Sequence, residues 1–263
     1  MKKKYLFALP ALLLALALVS CGNKTDNKTD DPDKKPPVEP VDPVEPTVPT
    51  YKATVLYPNG KAVTDTRVQW CAGTVCKTPV KVDNSGVAAL EMEDTDGGYY
   101  IHIQEGAMPE GYTYNPNIYT TDASNREITI QLLKLETASS GDGKVGTPYQ
   151  VGEGAYNINV PSKGEYPFYV FTAPTAGTYV IESLAVDMLA TTVIDAVLLT
   201  YTSNEFSNSG RKVIDTGGVG KNFKHEVTLA ANETLAFAIS FNSSKDLTGK
   251  DVAAEFDFTI TKK

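Results

Sequence analysis

The stretch Tyr51-Lys52-Ala53-Thr54-Val55-Leu56-Tyr57-Pro58-Asn59-Gly60 places Ala53, Val55 and Tyr57 two apart, then breaks into a Pro-Asn-Gly turn. A period of two belongs to a strand with one buried face, because successive side chains on an extended backbone point to opposite sides. The same grammar continues downstream. Val68 and Trp70 alternate, Asp83-Asn84-Ser85-Gly86 makes a second turn into Val87-Ala88-Ala89-Leu90, and Gly97-Gly98 opens a strand in which Tyr99, Ile101 and Ile103 share a face. After a longer loop, Ile128, Ile130 and Leu132 close the unit near Leu135. Short strands separated by turn signals predict an antiparallel β-sandwich over residues 51–136. No segment shows sustained helical spacing, so the fold class is all-β.

A small-residue linker, Ala138-Ser139-Ser140-Gly141-Asp142-Gly143, introduces a second unit over residues 137–263. Tyr156, Ile158 and Val160 share one strand face there, and Phe256, Phe258 and Ile260 share another near the C-terminus. Between them lie the stretches Phe168–Ser183, Asp195–Tyr201 and Leu235–Ile239. The pattern predicts a second antiparallel sandwich.

Upstream of Tyr51 the composition changes. Residues Gly22 to Thr50 repeat Asn-Lys-Thr-Asp twice (Asn23–Asp30) and then run Val38-Glu39-Pro40, Val41-Asp42-Pro43, Val44-Glu45-Pro46. Seven of the chain's sixteen prolines lie here and no aromatic residue does. Such a segment buries too little surface to offset its ordering entropy, and its prolines favour an extended form. The expectation is a disordered tether over residues 21–50, reaching as much as about 90 Å at roughly 3.1 Å per residue. Before it, Met1-Lys2-Lys3-Lys4 is basic and Tyr5–Val19 is an apolar run of 15 residues, short for a bilayer span and suited to a secretory signal over residues 1–20. The run ends Leu18-Val19-Ser20-Cys21-Gly22, which resembles the lipobox of bacterial lipoproteins. That resemblance implies lipid attachment at Cys21 and a place in the cell envelope, anchored to the extracytoplasmic face of a bacterial membrane.

Two further resemblances concern the sandwiches. In residues 51–136 the order of strand, Asn-Gly turn, Lys61-Ala62-Val63, strand, Asp-x-x-Gly turn, Gly97-Gly98-Tyr99-Tyr100-Ile101 and Pro109-Glu110-Gly111-Tyr112 resembles transthyretin-like units. These include the carboxypeptidase regulatory-like and Cna-B-like domains of bacterial surface proteins. In Cna-B relatives a Glu promotes an isopeptide bond between a first-strand Lys and a last-strand Asn. Glu105 matches that Glu, but Val55-Leu56-Tyr57 offers no Lys and residues 127–133 hold no Asn, so no crosslink is expected. In residues 137–263, Tyr169-Val170-Phe171-Thr172-Ala173-Pro174 with Gly177-Thr178-Tyr179, and Asp195-Ala196-Val197-Leu198 with Tyr201, resemble the bacterial pre-peptidase C-terminal domain. It implies a jelly-roll-like sandwich of the kind appended to secreted enzymes and surface proteins. Some relatives bind calcium, but Asp187, Asp195 and Asp215 map onto no such site and are expected as solvated carboxylates.

Charge and chemistry narrow the function. Lys and Arg total 24 against 32 Asp and Glu, a formal charge of −8. With the three signal lysines gone, 21 basic residues face 32 acidic ones, a charge of −11. An acidic chain without a basic face is a poor partner for nucleic acid. His102 falls on the Tyr100/Gln104 face and is expected to be exposed, and His225 shares parity with Phe223, Val227 and Leu229, a core-edge position. Neither sits in a nucleophile elbow or at metal spacing, and Gly217-Gly218-Val219-Gly220 lacks the Lys-Ser/Thr of a phosphate loop. No cofactor, metal or catalytic activity is expected.

Cys71 and Cys76 enclose four residues and, with Cys21 lipidated, are the remaining thiols of an exported chain. They are expected to form a disulfide across a hairpin. Two sets of residues are candidates for binding. Tyr112, Tyr114 and Tyr119 lie among Asn and Pro, where rings either stack on a sugar or protein or fold back to cap the sandwich. Arg211, Lys212 and Lys221 bring local positive charge to a Ser/Asn/Gly-rich stretch from Thr202 to Phe223. The expected class is a non-catalytic binding, adhesion or structural module with an extracellular polysaccharide or protein ligand. An accessory that presents a polymer to a secreted hydrolase, or a weak hydrolase, is the alternative.

Overall fold

The computed structural model describes residues 48–73, 75–104, 106–162, 164–184, 192–214, 223–246 and 248–263. Cys21, the tether up to residue 47, Glu105, Asp187, Asp215 and Lys221 lie outside the described residues. Within them the chain is built of strands and one short 3-10 turn at Asn208–Gly210. The alternation at Tyr51 becomes β1 (Thr50–Leu56), in which Tyr51, Ala53 and Val55 are buried and Thr50 and Lys52 are not.

The first sandwich continues with β2 (Arg67–Ala72), β3 (Val75–Cys76), β4 (Val80–Lys81), β5 (Val87–Glu91), β6 (Tyr99–Ile103), β7 (Tyr112–Thr113), β8 (Thr120–Thr121), β9 (Glu127–Gln131) and β10 (Leu133–Lys134). One sheet runs β5-β1-β9 and the other β3-β2-β6-β8, with β4 also on β2. Between them lies a core that includes Tyr51, Val55, Trp70, Ile101, Ile130 and Leu132. Gly86 shows why the Asp83 turn must end in glycine. Its φ of +80 lies in the left-handed region that side chains avoid, and a Cβ there would stand 2.7 Å from Val55 O. Asp83 holds the turn by accepting the Ser85 and Val87 amides at 2.8 and 3.0 Å.

The second sandwich contains β11 (Tyr149–Val151), β12 (Gly154–Val160), β13 (Phe168–Thr172), β14 (Gly177–Ser183), β15 (Thr192–Tyr201), β16 (Lys212–Ile214), β17 (Lys224–Leu229), β18 (Thr234–Asp246) and β19 (Ala254–Lys262). Its sheets run β11-β13-β18-β15-β16 and β12-β19-β14-β17. A separate core fills it, with Phe171, Tyr179, Ile181, Phe237, Phe258 and Ile260 fully buried. A smaller apolar cluster of Val170, Val197, Leu199, Tyr201, Phe206, Ala236 and Ala238 forms on the opposite parity of β13, β15 and β18. This second cluster explains why Ala196–Tyr201 reads as a continuous apolar run: both of its faces are covered.

Most pairings are antiparallel, as expected, but β1 pairs β9 in parallel and β11 pairs β13 in parallel. Both parallel pairs join strands that are not neighbours in sequence: β12 on the other sheet separates β11 from β13, and β2 to β8 separate β1 from β9. His102 differs from its expectation. Its parity is as read, opposite to Ile101 and Ile103, yet it is only 5% exposed while Tyr100 on the same face is 43% exposed. Gln69 stands directly opposite His102, and the fully buried Cys71 stands opposite Tyr100, so this face is covered at His102 and open at Tyr100.

Candidate functional site

The expected site residues that fall within the described residues each have a definite place. Cys71 and Cys76 are joined and are direct cross-strand partners on β2 and β3. The tyrosines of the 108–119 loop turn inward, which removes Tyr114 and Tyr119 as ligand-stacking rings. They are 7% and 9% exposed and stack on each other at 6.2 Å. Their hydroxyls do backbone work: the Ile103 amide donates to Tyr114 Oη at 3.0 Å, and the Gln131 amide donates to Tyr119 Oη at 3.1 Å. Tyr112 is half-buried with its ring edge against Tyr57 at 4.9 Å. A loop with few strand bonds needs such partners for the backbone groups it faces, and this explains the inward turn.

Arg211 and Lys212 are exposed. Arg211 lies against the Tyr201 phenol, whose pKa is pushed up to about 12 chiefly by burial and then by neighbouring Tyr166. Lys212 is close enough to His225 to add to the burial that lowers the imidazole pKa. His225 is half-buried at the core edge, in agreement with its parity. Asp195 is buried at an irregularity in β15, with Oδ1 unbonded, rather than solvated. It shares the parity of Val197 and Leu199, on the face of β15 opposite to Ile194 and Ala196. Among the described residues no group of three or more His, Cys, Asp or Glu could hold a metal ion.

A concavity lies elsewhere, where the two sheets of the second sandwich present adjacent edges. It is a cleft of about 500 Å³, in the size range of ligand pockets, with a neighbouring hollow of about 460 Å³ that shares Asn159 and Pro167. Its floor is apolar: Val151, Tyr156, Ile158 and Tyr169. Tyr156 and Tyr169 are fixed from below by Phe258, whose ring centroid is 5.4 Å from each. Tyr156 is further pinned by the Gly152 amide, which donates to its hydroxyl at 2.9 Å. Burial raises the pKa of both phenols, so neither supplies a base near neutral pH.

One wall is the segment from Leu135 to Ala138, and the other is the edge of β12 at Asn157 and Asn159. The wall segment crosses from one sheet to the other. Its Glu136 amide donates to Ala155 O on β12 at 2.7 Å, and its Ser139 amide donates to Gln150 O on β11 at 2.8 Å. The edge of β11 is therefore covered, while among the described residues β12 is covered only at Ala155. The sequence shows Asn157 and Asn159 as the polar half of an alternation, but which strand ends up at an edge depends on pairing between residues 100 apart, such as Asn157 with Asp257.

No family model matches the chain, and no curated protein matches it. Solved structures do. A DUF3823 family protein from Bacteroides ovatus shares 10% identity over 82% of this chain and 98% of its own, with a TM-score of 0.26. BcpA, the major pilin subunit of Bacillus cereus, shares 12% identity over 80% of this chain and 68% of its own, with a TM-score of 0.26. The Bacillus anthracis TIE protein shares 12% identity over 82% of this chain but only 45% of its own, with a TM-score of 0.28.

Proposed function

We propose that this protein is a lipid-anchored surface module of a bacterial envelope that binds an extended polymer beside β12 and performs no chemistry on it. The carrying observation is the cleft itself: an apolar floor of ordered aromatic rings with a strand edge as one wall. A preformed groove with few convergent polar groups suits binding, since its rings are already held in place and lose little freedom when covered. Anchoring rests on the Leu18–Gly22 lipobox resemblance and on the Pro-rich segment after it, which carry the module outward. The charge of −11 left after loss of the three signal lysines (21 basic against 32 acidic residues) disfavours adsorption to anionic headgroups, leaving the lipid as the means of attachment.

The test is to probe glycan and peptide arrays with the full chain and with Thr137→Trp. Thr137 is exposed on the cleft wall, so an indole there fills the groove without entering the core. Binding to a polymer that Thr137→Trp reduces at least tenfold supports the reading. Binding that Thr137→Trp leaves unchanged, or no binding at all, overturns it.

A further inference from the structure

The cleft wall formed by β12 is an unfinished sheet edge. In β12 the residues alternate in the direction of their backbone groups as well as their side chains. Ala155 O points away from β19, because it accepts the Glu136 amide on that side. Asn157 and Asn159 share its parity, so their N–H and C=O groups point the same way, into the cleft. Among the described residues nothing pairs with those four groups, and Pro161 ends the edge by lacking an N–H. Sheet edges of this kind are normally blunted or covered. Here the wall segment covers β12 for one residue and then leaves it for β11.

The geometry points to strand addition: an extended peptide that alternates basic and apolar residues docks along β12 and supplies the missing ladder. The proposal rests on reading the cleft as a binding site and specifies its occupant. Alternation follows from register. Peptide side chains facing the gap between the sheets meet Tyr156, Ile158 and Tyr169, and those facing outward lie on the side of the Asn157 and Asn159 side chains. That outer side is acidic. Glu255 and Asp257 stand opposite Asn159 and Asn157 on β19, and neither has a cationic partner among the described residues. Glu136 on the wall is shared with Lys134. The chain's own tether is a poor occupant, since its prolines lack donors and its Val-Glu-Pro repeats bring more carboxylates. A second copy docked edge to edge would bring two sets of Glu255 and Asp257 together, which like charge disfavours.

The experiment uses the full chain, the probe acetyl-Lys-Val-Lys-Val-Lys-amide, its form N-methylated on alternate amides, and the Glu-for-Lys analogue. Fluorescence anisotropy reads affinity, and amide hydrogen exchange by NMR reads the ladder. The lysine peptide is expected to bind and to slow exchange at Asn157 and Asn159 at least tenfold. The N-methylated and acidic peptides are expected to bind at least tenfold more weakly. Glu255→Gln with Asp257→Asn is expected to weaken binding and flatten its salt dependence, and Glu255→Gln alone to do so partially. Binding without protection of those two amides, or equal binding of the N-methylated peptide, overturns strand addition. If glycans alone bind and Thr137→Trp blocks them, strand addition fails while the cleft remains the binding site. If neither polymer binds, both readings fail.

Discussion

Replacing Phe258 by Ala should unfold the second sandwich preferentially and loosen the cleft floor. The side chain is fully buried and its ring meets Tyr156 and Tyr169 at 5.4 Å and Phe237 at 6.1 Å. Phe-to-Ala changes in cores cost about 3–5 kcal/mol, through lost transfer energy and the cavity left behind. The cavity here has little means of collapsing, because Phe258 lies on β19, which is paired on both sides by β12 and β14. The upper half of the range, about 4 kcal/mol, is therefore expected. At about 4 °C per kcal/mol for a module of this size, that lowers its transition by roughly 15 °C. Calorimetry should show the fall in one transition only, because the first sandwich has its own core with no shared residues. Below the transition, polymer binding at the cleft should weaken, since Tyr156 and Tyr169 lose the ring that fixes them. A loss under about 1 kcal/mol, or an equal shift of both transitions, would refute the account of two independent cores.

Three further outcomes are expected. Replacing Cys71 and Cys76 by Ser should lower the first transition by about 2 kcal/mol, because the closed loop is short, and leave the second unchanged by calorimetry. Tyr114→Phe should cost about 1–3 kcal/mol in denaturant unfolding, because the buried Ile103 amide loses its acceptor, although the ring itself is kept. Stability should decline on acidification through the ordinary imidazole range, near pH 6.5, because burial and then Lys212 depress the His225 pKa and the unfolded chain binds the proton first. His225→Gln should remove that decline while keeping the later one below about pH 4, where Asp83, Asp122 and Asp246 lose the hydrogen bonds that lower their pKa values.

Strands were legible because burial on one face leaves a period of two in the sequence, and the Tyr51 and Tyr156 alternations appear in the structure as β1 and β12. The turn at Asp83 was legible because its chemistry is local. What lay beyond reach was whatever depends on distant pairing. The parallel partnership of β1 with β9 joins residues 75 apart, such as Lys52 with Glu127, and no local pattern carries it. His102 lies on the face its parity names and is nonetheless buried, since parity names a face and not what lies over it. The loop tyrosines fell to the same limit. Asn and Pro neighbours mark a loop, while the inward turn of Tyr114 and Tyr119 is dictated by unpaired amides on other strands.

The candidate site illustrates the point most sharply, because none of its chemistry sits in a motif. Asn157 and Asn159 would be ordinary surface residues if β12 lay inside its sheet, and their backbone groups would then be consumed by a neighbour. The departure of one segment decides the matter. Leu135–Glu136 pairs with β12 at Ala155, and Ser139–Ser140 then pairs with Gln150 on β11. Gly141, with φ +95 and Pro148 O only 2.1 Å from where a Cβ would stand, lets the chain turn back immediately after that crossing. Small residues at 138–141 thus do more than join two sandwiches. By covering the edge of one sheet they leave the edge of the other open, and a strand edge is the one surface of a β-sandwich whose recognition chemistry is independent of its side chains.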